Sequence, residues 1–320
     1  MFTEEAIFFF YTETPLHAGS GSSVAYVDLP IQREKHTEYP IVQASGVKGA
    51  FRSWAKGHYL QDNDNKAELI KAFGPEMKAD EHSGALSFTD AQILLFPVRS
   101  FTGGFAWVTC PLVLNRLRRM LKTAGIEPPG MGEMDISPKD EEACVARDSV
   151  LIVNRGQGGM RLILEDFSFP ADTEYSDSIA YFADWLAKHA LPKDGAFDYI
   201  KHQLPKRLVI LSDNRFRDFA ALSTDVQTRI SIGESGTVDQ GPWNEELLLT
   251  DTLLYCLVLG KSMQYKGGDK YAAAAAIAYA KGIVDKSDVL QLGGDETLGR
   301  GLVRVRHLDK RELKEEGERT

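Results

Sequence analysis

The chain has 320 residues, 43% hydrophobic and 26% charged, close to the averages of soluble globular proteins, so disorder, collagen and low-complexity scaffolds are excluded. Its 46 acids against 37 bases leave a net charge of −9, which argues against a domain that neutralises phosphates by an overall positive charge. At roughly 150 residues per domain the length admits two domains, or one with large insertions.

No apolar run reaches the roughly 18 to 20 residues of a membrane span. The apolar stretch 6–11 follows Glu4 and Glu5 instead of the basic segment of a signal peptide. Cys110, Cys144 and Cys256 are odd in number and widely spaced, which fits neither a disulfide framework nor a CxxC zinc site and favours a reducing cytoplasm. The histidines form no HExxH pair.

In chain order, the aromatic and β-branched run 6–12 predicts a buried strand leading into the loop His17-Ala-Gly-Ser-Gly-Ser-Ser23. Ser45 reads as the N-cap of a helix to about Leu60, with Val47, Phe51, Trp54 and Ala55 on one face and Lys48, Arg52 and Lys56 on another. Residues 86–96 read as a strand, and 109–124 as a helix with Pro111 in its first turn and Gly125 just past its end. Residues 125–148 hold three prolines and seven acids against two bases, the composition of a surface insertion. Strands at 150–153 and 160–169, a helix at 177–190, a strand at 208–211 and a short amphipathic helix at 216–222 follow. The alternating run 226–232 meets Gly233-Glu-Ser-Gly236, which predicts a β-hairpin. Strand 253–259, an Ala-rich helix from 271 to about 283, a glycine loop and strand 302–305 complete the core, and the charged tail 309–320 frays. The outer elements are strand, helix, strand at one end and helix, strand at the other. That order fits an α+β fold with a ferredoxin-like (RRM-like) βαββαβ core interrupted by long insertions.

Three places offer chemistry. Gly293-Gly-Asp-Glu-Thr-Leu-Gly-Arg-Gly301 lies between a helix and a strand, where its backbone N–H groups either line an anion site or simply make a tight glycine connection. No GxxxxGK[ST] and no GxGxxG after a strand occurs, which removes the common nucleotide loops. Residues 293–297 also resemble the GGDEF signature of nucleotide cyclases, but only 23 residues follow Thr297. Asp28, in Tyr-Val-Asp-Leu-Pro, is suited to bind a divalent ion or take a proton from a 2′-hydroxyl, or else to cap a turn before Pro30. His17, earlier on the same loop, is a general acid or base candidate, or a structural loop histidine. The helix start Ser45-Gly-Val-Lys-Gly-Ala-Phe-Arg52 points a positive dipole end and two bases at any anion, the plain alternative being a solvated basic face. Bases cluster: three and no acid in 45–60, five and no acid in 99–123, and five against one acid in 300–311. Acids concentrate elsewhere, in 125–148 and in 165–184, so −9 constrains where a nucleic acid can lie and not whether it binds.

These segments together resemble the backbone subunit of the type III-B CRISPR effector (the Cmr complex), in the RAMP superfamily. The resemblance rests on Pro15-Leu-His-Ala-Gly-Ser-Gly-Ser-Ser23, Tyr-Val-Asp28-Leu-Pro-Ile-Gln-Arg-Glu34, Ser45-Gly-Val-Lys-Gly49, Ala85-Leu-Ser-Phe-Thr-Asp90 and Leu95-Phe-Pro-Val-Arg99. It continues through Phe105-Ala-Trp-Val-Thr-Cys-Pro-Leu112, Leu208-Val-Ile-Leu-Ser-Asp213, Leu222-Ser-Thr and the 293–302 glycine segment, in order from 15 to 302.

The resemblance implies one RAMP domain over 1–308, with a palm at about 5–60, 85–125 and 250–308, insertions at about 125–205, a thumb hairpin at about 226–240 that wedges between base pairs, and the tail 309–320 outside it. It implies copies stacked with other effector subunits into a helical filament on a CRISPR guide RNA, cutting complementary target RNA once per subunit with Mg2+ or Mn2+ and no membrane contact. The cutting aspartate falls on Asp28, as base or metal ligand for attack of a 2′-hydroxyl on its own phosphodiester. His17 is placed near the cut, and an acidic pair on Glu245 and Glu246 of Gly241-Pro-Trp-Asn-Glu-Glu246. The family's tyrosine beside those acids is absent, Asn244 and Leu247 standing there. Ser45, Gly46, Lys48, Arg52, Gly293, Gly294, Gly299, Arg300 and Gly301 are implied to hold guide-RNA phosphates. The alternatives are a non-catalytic RNA-binding backbone subunit and, more remotely, a cyclase.

Overall fold

A computed structural model describes residues 2–21, 27–59, 63–75, 83–128, 136–154, 156, 159–265, 270–308, 310 and 313. Ser22 and Ser23 of the loop, Leu60, residues 129–135 and most of the 309–320 tail lie outside the described residues.

Among the described residues, thirteen strands share one sheet. Its order begins Val289–Gln291, Leu302–His307, Glu4–Thr12, Leu253–Gly260, Ala91–Arg99, Phe105–Thr109. It continues Leu208–Ile210, Ala143–Val145, Phe167–Asp172, Met160–Leu164, Val153–Asn154, with Ile41–Val42 added beside Ala91–Arg99 and Leu86–Phe88 beside Leu253–Gly260. The neighbours Leu302–His307, Glu4–Thr12, Leu253–Gly260 and Ala91–Arg99 are antiparallel throughout. In the chain, helix Ala44–Tyr59 comes after the first strand and helix Ala273–Lys286 after Leu253–Gly260. The architecture is thus α+β around a large central sheet, as the order of elements predicts.

Strand Glu4–Thr12 shows why its sequence is apolar without alternation. Phe8 and Phe10 turn to one face and meet Phe51 of helix Ala44–Tyr59 edge-on, at ring distances of 5.5 and 6.3 Å. Phe9 turns to the other and meets Trp185 of helix Ser176–His189 at 6.4 Å. A strand covered on both faces needs no polar side, and all three rings are fully buried. Helix Pro111–Thr123 starts at proline as expected and buries Val113, Leu117 and Leu121. Hairpin Asp225–Ile232 with Val238–Leu247 forms its own two-stranded sheet. Its distal residues are exposed while Leu247 is buried at its base.

Several expectations need correction. Segment 125–148 is not wholly a surface insertion: Ala143–Val145 is a fully buried strand between Leu208–Ile210 and Phe167–Asp172. Its proline and acid content hides three apolar residues, too few to register by composition. The strand read at 160–169 is a hairpin of Met160–Leu164 and Phe167–Asp172, turned at Glu165 and Asp166, with Glu165 at φ 49°. The strand read at 86–96 is interrupted at Thr89 and Asp90, because Asp90 turns out to accept from the Ala44 N–H at 2.8 Å. Ser45 is therefore in the first turn of its helix rather than at the N-cap, and a carboxylate already faces that N-terminus. Helices Asn63–Phe73 and Asp198–Arg207 are further elements beyond the sequence reading; the second carries Pro205 inside it. Among the described residues no helix is long and apolar enough to cross a membrane.

Candidate active site where the hairpin meets the Asp28 loop

Asp28 is exposed and sits against the last turns of hairpin strand Val238–Leu247. The Asn244 carbonyl accepts from the N–H groups of Asp28 (3.1 Å) and Leu29 (3.0 Å), and the Asn244 N–H donates to Asp28 Oδ2 at 2.8 Å. The Glu246 N–H donates to the Leu29 carbonyl at 3.0 Å, closing a short parallel pairing. On the hairpin side these bonds run through backbone, and the Asn244 side chain turns to the facing strand, where its Oδ1 accepts from Thr228 Oγ1 at 2.8 Å. No hydrogen bond or ion pair to Asp28 Oδ1 occurs among the described residues, and the residue is exposed.

The two glutamates beside it are inward groups. Glu246 Oε2 accepts from the Ile31 N–H at 3.0 Å, and its Oε1 accepts from Arg33 and from Thr224 Oγ1 (2.7 Å). Glu245, whose side chain is 2% exposed, accepts from Arg229 Nη1 at 2.9 Å through Oε2, and Arg300 Nη1 lies 2.9 Å from the same oxygen as an ion pair without hydrogen-bond geometry. Arg229 Nη1 also lies 3.6 Å from Asp295 Oδ2. Burial, and then Asp295, push the Glu245 carboxyl above its usual range against the pull of Arg229 and Arg300. A hydrogen bond with Glu245 leads the causes holding Asp295 below its own.

His17 joins the same cluster. Its Nδ1 bonds the Glu246 carbonyl at 2.8 Å and lies 4.0 Å from Glu245 Oε1. Its loop is locked by the glycine segment: Gly294 N–H donates to the His17 carbonyl at 2.8 Å, and Gly301 N–H to the Pro15 carbonyl at 2.9 Å. A Cβ on Gly293 would stand 2.2 Å from the His17 carbonyl oxygen, and one on Gly301 1.9 Å from that of Leu292. Both glycines also hold φ near +70°, so the segment is glycine-rich because it is wedged, not because it is open.

The residues expected on guide-RNA phosphates divide. Lys48 Nζ donates to the Leu86 carbonyl at 2.9 Å and Arg52 Nη2 to that of Gly74 at 2.8 Å. Burial and the nearby Arg52 and Lys261 hold the Lys48 ammonium below its usual range. In the glycine segment, the N–H groups of Gly294, Leu298, Gly299 and Gly301 donate to protein carbonyls. Ser45 and Gly46 are exposed; Gly46 and Gly293 line a shared open groove of about 500 Å³ whose wall carries Trp54 stacked on His58 at 3.9 Å. Several of the clustered bases have partners in space: Arg116 pairs with Glu34 and Arg304 with Glu13 and Asp288, while Arg306 donates to the Leu191 carbonyl. None of these partners is near in sequence, which is why composition windows leave them out.

The RAMP superfamily model matches residues 9–304. The chain belongs to the RAMP superfamily. It is 36% identical over 301 residues to the "CRISPR system Cmr endoribonuclease Cmr4" of Pyrococcus furiosus, a match covering 92% of each chain. The crystal structure of oligomeric Cmr4 from Pyrococcus furiosus superposes with a TM-score of 0.69 at 29% identity, covering 96% of this chain and 98% of that one. The type III-B Cmr-beta complex bound to cognate target RNA contains a chain of the same fold, at a TM-score of 0.70 and 21% identity, covering 98% of this chain and 99% of that one. This RAMP chain is accordingly a Cmr backbone-type subunit. The site residues absent from the sequence reading are Arg33, Arg229 and Asp295. Arg229 stands on the facing hairpin strand opposite Trp243 and reaches Glu245 diagonally, the direct partner of Glu245 being Gln227.

Proposed function

We propose that this RAMP chain is a guide-RNA-binding filament subunit of a type III-B CRISPR interference complex, an endoribonuclease that cuts complementary target RNA at regular intervals, once per subunit. Its partners are the guide RNA, the target RNA, further copies of itself and the other effector subunits, in the cytoplasm. The observation that carries the reading is Asp28: an exposed carboxylate with one oxygen held by the Asn244 N–H, in a chain similar along 92% of its length to a Cmr endoribonuclease.

Asp28 serves the cut by accepting the proton of the attacking 2′-hydroxyl, while the hairpin displaces a nucleotide so that attacking and leaving oxygens line up. His17 lies on the inner side of the same loop, its ring held by the Glu246 carbonyl; Glu245 and Glu246 act from within, as the buried anchors of the strand that grips Asp28. No group of three or more His, Cys, Asp or Glu is placed to hold a metal ion among the described residues. A lone exposed carboxylate suits Mg2+ or Mn2+, which keep waters and complete their shells with substrate phosphate oxygens, so Asp28 would be the protein ligand. Such an ion, held by Asp28, would supply charge neutralisation at the phosphate.

The antiparallel neighbours Leu302–His307, Glu4–Thr12, Leu253–Gly260 and Ala91–Arg99 support reading the palm as ferredoxin-like (RRM-like), with helices Ala44–Tyr59 and Ala273–Lys286 as its two crossovers. On this reading residues 1–308 are one domain, about 125–205 are inserted, the hairpin is the thumb and 309–320 is a tail. Ser45, Gly46 and Gly293 present the surface for guide RNA, with Lys48 and Arg52 shaping it from behind. The test is an assembled complex bearing Asp28→Asn, which should bind target RNA and fail to cut it. Unchanged cutting would leave the subunit a structural backbone only.

A further inference from the structure

The resemblance places Arg300 on a guide-RNA phosphate, yet its surroundings point inward. Its side chain is 13% exposed, Nη1 lies 2.9 Å from Glu245 Oε2, and Nη2 donates to Gln227 Oε1 at 2.9 Å. Arg229 holds the same Glu245 oxygen at 2.9 Å. Glu245 is the chain neighbour of Asn244, and both peptide groups flanking Asn244 bond the Asp28–Leu29 backbone and carboxylate. The guanidinium itself hangs from a fixed point, because Gly294 and Gly301 on either side of it are bonded to the carbonyls of His17 and Pro15.

We propose that Arg300 is a positioning residue for Asp28, acting through Glu245 and Asn244 and not on RNA; this rests on the proposed function, in which Asp28 carries the cut. The physical ground is the cost of a buried carboxylate that loses one of its two cations: the group must reorient or take up a proton, and the strand it pins moves with it. A displacement on the order of 1 Å at a reacting group lowers the rate by roughly 100-fold. A phosphate contact behaves differently, since losing one weakens RNA binding for every sequence and flattens its salt dependence by about one counterion.

The experiment compares wild type, Asp28→Asn, Arg300→Gln and Arg300→Lys in the reconstituted complex. Guide affinity is followed against salt, and target cutting is followed as kcat and KM. Arg300→Gln should bind guide with the wild-type salt slope and show an unchanged KM, while kcat falls roughly 10- to 100-fold. Arg300→Lys should recover part of that loss, a point charge replacing one of the two contacts. Wild-type kcat in Arg300→Gln, or a flattened salt slope with kcat intact, overturns the proposal. Should Arg300→Gln fail to assemble, Glu245→Gln keeps the shape and removes the charge; a normal kcat there overturns it equally, and a kcat loss at unchanged KM supports it. If Asp28→Asn itself cuts like wild type, the parent reading fails instead, and the two failures are told apart.

Discussion

Gly293→Ala tests how tightly the glycine segment is wedged against the His17 loop. Gly293 holds φ 75°, a left-handed conformation that destabilises a residue with a Cβ by roughly 1 to 2 kcal/mol. The added Cβ would stand 2.2 Å from the His17 carbonyl oxygen, so the two chains must separate. Separation loses the Gly294 N–H to His17 carbonyl bond, a further loss of about 0.5 to 1.5 kcal/mol. The expected total is about 1.5 to 3.5 kcal/mol, a fall in Tm of roughly 2 to 5 °C for a chain of this size. Gly299→Ala is the matched control. Gly299 has φ 71° but nothing within 4 Å of a built Cβ, so only the backbone contribution of roughly 1 to 2 kcal/mol remains. Urea unfolding of the two purified variants beside wild type measures both. Equal destabilisation would refute the wedge, and a Gly293→Ala protein as stable as wild type would refute the geometry altogether.

Two further outcomes check the core. Phe51→Ala removes the ring that Phe8, Phe10 and Phe88 pack against at 5.5, 6.3 and 5.2 Å; urea unfolding should show a loss of about 3 to 5 kcal/mol, and a loss under about 1 kcal/mol would contradict the packing. Burial pushes the Cys110 and Cys144 thiols up to about 12, and raises that of Cys256 as well. Because the thiolate is the nucleophile, iodoacetamide at about pH 8 should leave all three unlabelled in the folded protein and label them in urea. Mass spectrometry reads this directly, and rapid labelling without denaturant would contradict their burial.

What can be read from the sequence follows the range of the forces involved. Strand Glu4–Thr12, helix Pro111–Thr123 and hairpin Asp225–Ile232 with Val238–Leu247 are set by periodicity, a proline start and a glycine turn, all local signals. Buried strand Ala143–Val145 is not, since only its partners Leu208–Ile210 and Phe167–Asp172 make those three residues a strand. At the site, Asp28 and His17 are visible as chemical types on one loop. The contacts of Lys48, Arg52 and Arg300 are not, because the Leu86 and Gly74 carbonyls and Glu245 reach them across 22 to 55 residues. A base in a sequence window is a charge without its partner. The inward turn of Glu245 and Glu246 likewise depends on Arg33, Arg229 and Arg300, which come from three separate segments.

The central claim is that each copy contributes one cut through its own Asp28. It is tested most directly by assembling complexes from wild-type and Asp28→Asn chains in graded proportions and resolving the cleavage products of an end-labelled complementary RNA. The account predicts products at regular spacing, with the yield at every filament position falling in proportion to the Asp28→Asn fraction and target binding unchanged. A ladder whose intensities ignore that fraction would contradict it.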